Sequence, residues 1–213
     1  TPDKTVEKAT KDADGIVNPA KTPVADPTNL TQPEKDAVKK AIEDANPGKV
    51  ANVVVGNDGS ATVTFKDGSE ATLTPAQTVK EADSNGVKTP AVTPVVNPSS
   101  LTDAEKAKVA EEVKKSNPTA TDVKVGEDGT ATVIFPDGSK ATLTPAQTVK
   151  EADSNGVKTP AVTPVVNPSA LTDAEKAKVA EEVKKSNPTA TDVKVGEDGT
   201  ATVIFPDGSK ATL

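Results

Sequence analysis

One stretch, DVKVGEDGTATVIFPDGSKATL, occurs twice without a single change, at Asp122–Leu143 and Asp192–Leu213. A looser version, NVVVGNDGSATVTFKDGSEATL, lies at Asn52–Leu73. Side chains on a strand alternate between faces, so a period of two is the test. Val123, Val125, Ala131, Val133, Phe135, Ala141 and Leu143 fall on one face; Lys124, Thr130, Thr132, Ile134 and Lys140 fall on the other. Asp128-Gly129 separates the first two runs and Pro136-Asp137-Gly138-Ser139 marks the second turn. Asp-Gly suits a hairpin because glycine adopts positive φ without steric cost. The pattern predicts a three-stranded antiparallel meander with one buried face.

The looser copy supports this reading. Val53, Val55, Ala61, Val63, Phe65, Ala71 and Leu73 repeat the inward set unchanged. The substitutions fall on the outward face (Val54, Ser60, Thr64, Glu70) or in turns (Asn57, Lys66). A half-buried sheet varies in this way, and a disordered tract has no reason to.

The duplication extends beyond the meander. Thr74–Leu143 and Thr144–Leu213 are each 70 residues long and differ only at Ser100 versus Ala170. Thr1–Leu73 is a diverged copy with a few insertions. Such self-similarity predicts three tandem units, 1–73, 74–143 and 144–213, each long enough to fold alone. The boundaries can instead be cut near the glycines at 15, 86 and 156. That second cut places the Asp/Ser/Asn/Gly segment between domains and leaves the last unit without a TPAQTV tail.

Upstream of each meander the sequence predicts a helix and a proline-rich entry. In LTDAEKAKVAEEVKKS, Leu101–Ser116, Thr102 is placed to cap and Glu105 to answer at the third helical position. Asp103 and Glu105 suit the positive end of the dipole, and Lys114 and Lys115 the negative end. Val109, Ala110 and Val113 form the apolar stripe that should pack on the meander. The first copy keeps this arrangement with Thr31, Glu34, Val38 and Ile42. Pro90, Pro94 and Pro98 exclude a helix and a central strand from Val87–Pro98, leaving an edge strand or a polyproline-like segment. Thr74-Pro75-Ala76-Gln77 carries a second capping box, predicting a short helix from Pro75 to about Asp83 stopped by Asn85-Gly86. The rival reading extends the strand of Leu73 through Thr78 and Val79.

Each unit has a thin core. Leu, Ile, Val and Phe number 14 in Thr74–Leu143, one fifth of the unit, at the border where disorder competes. Its 8 lysines against 10 acids leave little self-repulsion, and the patterned strands favour folding.

The residue types present exclude most chemistry. The chain has no His, Cys, Met, Trp, Tyr or Arg, and its aromatics are Phe65, Phe135 and Phe205. Nucleophilic triads lack their base, and no glycine-rich turn supports a Ser–Lys pair. Disulfides and thiolate metal sites are absent, and the dinucleotide and P-loop glycine motifs do not occur. Glu111 and Glu112 read as solvated helix charges. Glu81, Asp83, Asn85 and Gly86 imitate the opening of an EF-hand loop, but Val92 stands where a bidentate Glu is needed. The first unit offers Thr10, Asp12, Asp14 and Gly15, with Lys21 at that last position. These segments, and the GEDGT and GNDGS loops, read first as turns. Asn29-Leu30-Thr31 matches a glycosylation sequon, which the helix cap at Thr31 explains equally well. No catalytic, cofactor-binding or metal residues are therefore assigned, and no cofactor is expected. A net charge of −7, without a lysine cluster or stacking aromatics, argues against nucleic acid and anionic membranes as partners. No apolar run is long enough for membrane insertion. With no initiating Met and no signal peptide, the chain is expected to be a piece of a longer one.

NPSSLTDAEKAKVAEEVKKSNP followed by VGEDGTATVIFPDGSKATL resembles the tandem repeats of Gram-positive cell-wall surface proteins, in particular the atypical Rib variants of the Rib/alpha-like group. The resemblance covers most of each unit, and its specific part is the LTDAEK helix leading to the DGTATVxFPDGS hairpin. It implies immunoglobulin-like modules strung between a distal adhesive domain and a cell-wall anchor, with no catalytic residues. The expected fold is therefore a mixed α/β module, mainly β. Each of the three copies combines an extended proline-rich segment, one helix and the meander. The expected role is a non-enzymatic, secreted, extracellular stalk, monomeric and elongated, whose copy number varies between strains. The alternative is a repeat that is itself adhesive, binding a host protein or self-associating. The outward-facing apolar residues Ile134 and Ile204 are the best clue to that alternative.

Overall fold

In a computed structural model, the structure describes residues 9–213, so a repeat boundary before Thr1 lies outside it. The first copy contains β1 (Thr22–Val24), α1 (Gln32–Ala45), β2 (Val50–Val55), β3 (Ala61–Phe65) and β4 (Glu70–Leu73). After it come α2 (Pro75–Thr78), β5 (Val79–Glu81) and β6 (Thr93–Val95), then α3 (Asp103–Ser116). The second meander is β7 (Asp122–Val125), β8 (Ala131–Ile134) and β9 (Lys140–Leu143), followed by α4 (Pro145–Thr148) and β10 (Val149–Glu151). The third copy contributes α5 (Asp173–Ser186), β11 (Asp192–Val195), β12 (Ala201–Ile204) and β13 (Lys210–Thr212). By proximity the described residues gather into two bodies. One runs through Val87 and includes Ile134–Ala141; the other holds Lys88–Val133 and Thr142–Leu213.

All three meanders form as the alternation predicts, with strand orders β2-β3-β4, β7-β8-β9 and β11-β12-β13. Antiparallel register places Val53 opposite Val63 and Val63 opposite Ala71. In the third copy Val193 faces Val203, which faces Ala211. Of the first inward set, Val53, Ala61, Val63, Phe65 and Leu73 are buried, while Val55 and Ala71 are half-buried. Phe135 and Phe205 are buried as well, so each copy has one ring in its core.

Each long helix covers its own sheet. Val38 and Ile42 join Val63 and Phe65 in one cluster, and Val183 joins Val203 and Phe205 in another. Val109 and Val113 are fully buried, worth about 1.5–3 kcal/mol each relative to exposure. The capping boxes at Thr31, Thr102 and Thr172 are all present. The proline-rich entries become short edge strands, β1 and β6; residues 163–165, their equivalent in the third copy, are not assigned as a strand. The predicted helix from Pro75 to Asp83 is a single turn. It ends at Thr78 because Val79–Glu81 leaves to pair elsewhere, and Asp83–Gly86 forms a separate 3-10 turn.

Candidate functional site

Two places combine residues from distant parts of the sequence: the surface covered by the strand after each meander, and the turn that follows that strand. The first begins with a cap. Gln77 Oε1 accepts the Thr74 N–H at 2.8 Å and its hydroxyl at 3.0 Å, fixing one helical turn. The chain then extends as β5 and pairs in parallel with β1, Thr22 opposite Val79 and Val24 opposite Glu81. In the second copy β10 pairs with β6 in the same register, Thr93 opposite Val149 and Val95 opposite Glu151. Parallel partners require a long crossover, and here the helix and the whole meander serve as one.

Thr78 and Thr148 are fully buried, and their hydroxyls donate to the carbonyls of Gly59 and Gly129, each at 2.6 Å. These glycines hold φ of +81° and +83° at the hairpin tips. A Cβ on either would lie 2.9 Å from a methyl of Val79 or Val149, so glycine also makes room for the incoming strand. In the third copy nothing among the described residues covers the equivalent surface. It is a groove of about 290 Å³ lined by Val162, Val165, Leu171, Val179, Ala201 and Leu213, among others. A Cβ on Gly199, with φ of +84°, would meet only Leu171 Cδ2, at 3.9 Å, among the described atoms.

The second place lies just past the strand. The Ala82 N–H donates to the Val24 carbonyl at 2.9 Å, and Asn85 Nδ2 donates to the Ala25 carbonyl at 2.7 Å. The same turn presents the Asp83 N–H to Asp137 Oδ2 at 2.8 Å and the Ser84 N–H to Ser139 Oγ at 3.0 Å. Asp137 Oδ1 also accepts the Ser139 N–H, and Lys80 Nζ lies 3.7 Å from Oδ2. Burial pushes the pKa of Asp137 up. Hydrogen bonds from the Asp83 N–H and from Ser139, with the Lys80 charge, outweigh that and hold it at about 2. Asp153, Ser154, Lys150, Asp207 and Ser209 repeat the arrangement, and Asn155 Nδ2 donates to the Val96 carbonyl at 2.7 Å. At Asp207 burial likewise pushes the pKa up, and hydrogen bonds from the Asp153 N–H and from Ser209, with the Lys150 charge, outweigh it and lower the pKa. In the first copy the N–H groups of Asp12 and Ala13 meet Asp67 and Ser69 in the same way.

Two other side chains do more than their sequence positions suggest. Glu105 accepts the Thr102 N–H through one oxygen at 2.8 Å and the Val96 N–H through the other at 2.9 Å, tying the helix start to the edge strand. Glu34 and Glu175 do the same with Ala25 and Val166. The Val96 and Thr102 N–H groups outweigh desolvation and lower the Glu105 pKa. Asn117, buried at the helix end, accepts the Lys88 N–H at 2.8 Å and donates to the Lys88 and Val113 carbonyls at 2.9 Å. The sequence marked it only as a helix stop before Pro118; no periodicity announces a partner 29 residues away.

The EF-hand-like residues do not converge. Glu81 Oε1 accepts from Asn85 at 3.1 Å, and the Asp83 backbone turns to Asp137. Among the described residues no group of three or more acidic side chains is placed to hold a metal ion. Asp58, Asp128 and Asp198 accept N–H groups within their own hairpin turns. Glu111 and Glu112 pair with Lys115 at 3.3 and 2.6 Å on the helix surface. Ile134 and Ile204 are half-buried rather than exposed. In the sequon, Leu30 is buried and Thr31 occupies the cap.

The family model of the atypical Rib domain matches residues 14–82, 85–152 and 155–213. No curated protein matches the chain. Among solved structures it is similar to a variant of the SrpA adhesin from Streptococcus sanguinis, at 27% identity over 43% of this chain and 50% of that one, with a TM-score of 0.33. It is also similar to the sialic acid binding region of the Streptococcus sanguinis SK1 adhesin bound to 3'sLn, at 22% identity over 92% of this chain and 64% of that one, with a TM-score of 0.32. For the GspB Siglec domain the values are 20%, 48%, 70% and 0.31. The chain thus spans between 50% and 64% of the length of the first two structures.

Proposed function

The chain belongs to the atypical Rib domain family, present three times in tandem, and on that premise we propose that it is a non-catalytic spacer of a bacterial cell-surface adhesin. In this reading it is extracellular, linked to the cell wall, and holds a distal binding region away from the cell. The observation that carries the reading is the turn at Asp83–Gly86 and Asp153–Gly156. One short segment is hydrogen-bonded backward to an edge strand and forward to the Asp-Gly-Ser turn of the following meander. A segment held at both ends has few free dihedrals, which suits a spacer better than a loose tether. On the same ground we place the module boundaries within these turns, near 86 and 156, rather than before Thr74 and Thr144.

The function is tested by presenting the purified array to host matrix proteins, to glycans and to itself, and by comparing solution scattering of three copies with one. Absence of binding, with a maximum dimension that grows in proportion to copy number, is the expected result. A saturable interaction of micromolar affinity or tighter would transfer the adhesive role to the repeats themselves.

A further inference from the structure

The strand that opens a copy and the strand that closes it run in the same direction. β1 is parallel to β5, and β6 to β10, with the long helix and the whole meander between them in sequence. Tension on tandem copies enters each one ahead of its first strand and leaves it beyond its last. On a parallel pair those two points lie at opposite ends. The pull then slides one strand along the other, and the bonds between them are strained together. On an antiparallel pair both points would lie at one end, and the bonds would open one after another.

The contacts around each pair oppose sliding. The Ala82 N–H to the Val24 carbonyl and Asn85 Nδ2 to the Ala25 carbonyl lengthen the first pair beyond its three paired residues. In the second copy the Ala152 N–H reaches the Val95 carbonyl at 2.8 Å, and Asn155 adds the Val96 carbonyl. Each strand is also fastened to its own module. The Ala25 N–H donates to Glu34 Oε1 at 2.9 Å, tying β1 to the start of α1, and Thr78 ties the start of β5 to the Gly59 carbonyl. Val24, Val79, Val95 and Val149 are buried, so sliding would drag apolar side chains out of close packing into water.

We infer that these parallel pairs are mechanical clamps. Tension crosses directly from the first strand of a copy to its last, and the helix and meander carry none of it until the pair breaks. Resistance to stretching is then set by the pair and by the direction of pull, not by the stability of the core, because forced unfolding follows the unfolding barrier rather than the equilibrium. The inference rests on the spacer reading for its setting, but force is measured without any binding partner, so its failure would leave that reading untouched.

The chain has no cysteine, so two introduced cysteines give unique handles for single-molecule stretching of the 213-residue protein. Lys21→Cys with Lys88→Cys loads β1 and β5 from opposite ends. Lys21→Cys with Ala76→Cys pulls both strands from the same end. In the second copy Val92→Cys is combined with Lys158→Cys or with Ala146→Cys in the same way, and all six sites are exposed. At one loading rate the opposite-end geometry is expected to need at least about threefold more force than the same-end geometry. Rupture is recognised by the chain it frees, on the order of 200 Å in either geometry. The two geometries share one handle and unfold the same module, so a difference in force reports direction rather than stability. Equal forces in either copy, or a larger force in the same-end geometry, would overturn the clamp.

Discussion

The second and third copies are the same polypeptide apart from one residue, yet they bury different amounts of it. Val95 is 1% exposed, whereas Val165 is half-buried; Val92 and Val96 are 43% and 67% exposed, against 94% and 95% for Val162 and Val166. Val109 is fully buried and Val179 is not. The meander, the capping box and the carboxylate bond to the strand are alike in both, with Glu175 still accepting the Val166 N–H at 2.8 Å. What differs is β10, which follows the second meander and closes over it. Helix and sheet therefore set the core, and a strand outside the meander decides whether its edge is finished.

Substitutions that turn one copy into the other test this comparison. The largest effect is expected from Val149→Asp, which places a charge at a buried site against Gly129 and detaches β10. It should lower the local stability of the second copy by about 3–5 kcal/mol and bring exchange at Val95 to the rate of Val165. Next comes a matched pair. Gly129→Ala combines left-handed strain with a contact to Val149 and should cost about 2–4 kcal/mol, whereas Gly199→Ala meets only the strain, about 1–2 kcal/mol. Equal costs in denaturant unfolding would show that the strand does not press on the glycine.

Asp137→Asn weakens charge-assisted bonds to the Asp83 N–H and to Ser139, for an expected loss of about 1–3 kcal/mol. The same group sets a pH dependence. Its folded pKa of about 2 lies below the ordinary 3.8, so its contribution is complete above pH 4 and is lost as pH falls through 2. Urea midpoints at neutral pH, pH 3 and pH 2 should decline in that order in the parent chain and less steeply in Asp137→Asn. The smallest effect is a gain. Thr93 is buried with its hydroxyl unpartnered among the described residues, while Thr163 is half-buried. Thr93→Val should stabilise the second copy by about 0.5–1 kcal/mol, and Thr163→Val should change little.

The legible part of this structure was the local part. Period-two alternation located the strands, and Thr102 with Glu105 located the helix start, because both signals lie within a few residues. The parallel pairing of β1 with β5 was not legible: its partners are separated by a whole module, and Thr78-Val79-Lys80 is equally compatible with a continued helix. The second oxygen of Glu105, the clamp of Asn117 on Lys88 and the seat of Asp83 on Asp137 escaped for the same reason. Each joins polar groups far apart in sequence, where composition carries no signal. Ile134 and Ile204 have the outward parity that alternation assigns, but parity does not report how much neighbouring side chains cover them.

The most direct measurement is amide hydrogen exchange at Val95 and Val165 in the unmodified chain, with Val96 and Val166 as internal controls bonded to glutamate in both copies. Strand completion by β10 predicts that Val95 exchanges at least about a hundredfold more slowly than Val165, while Val96 and Val166 differ far less. Equal protection at Val95 and Val165 would contradict it.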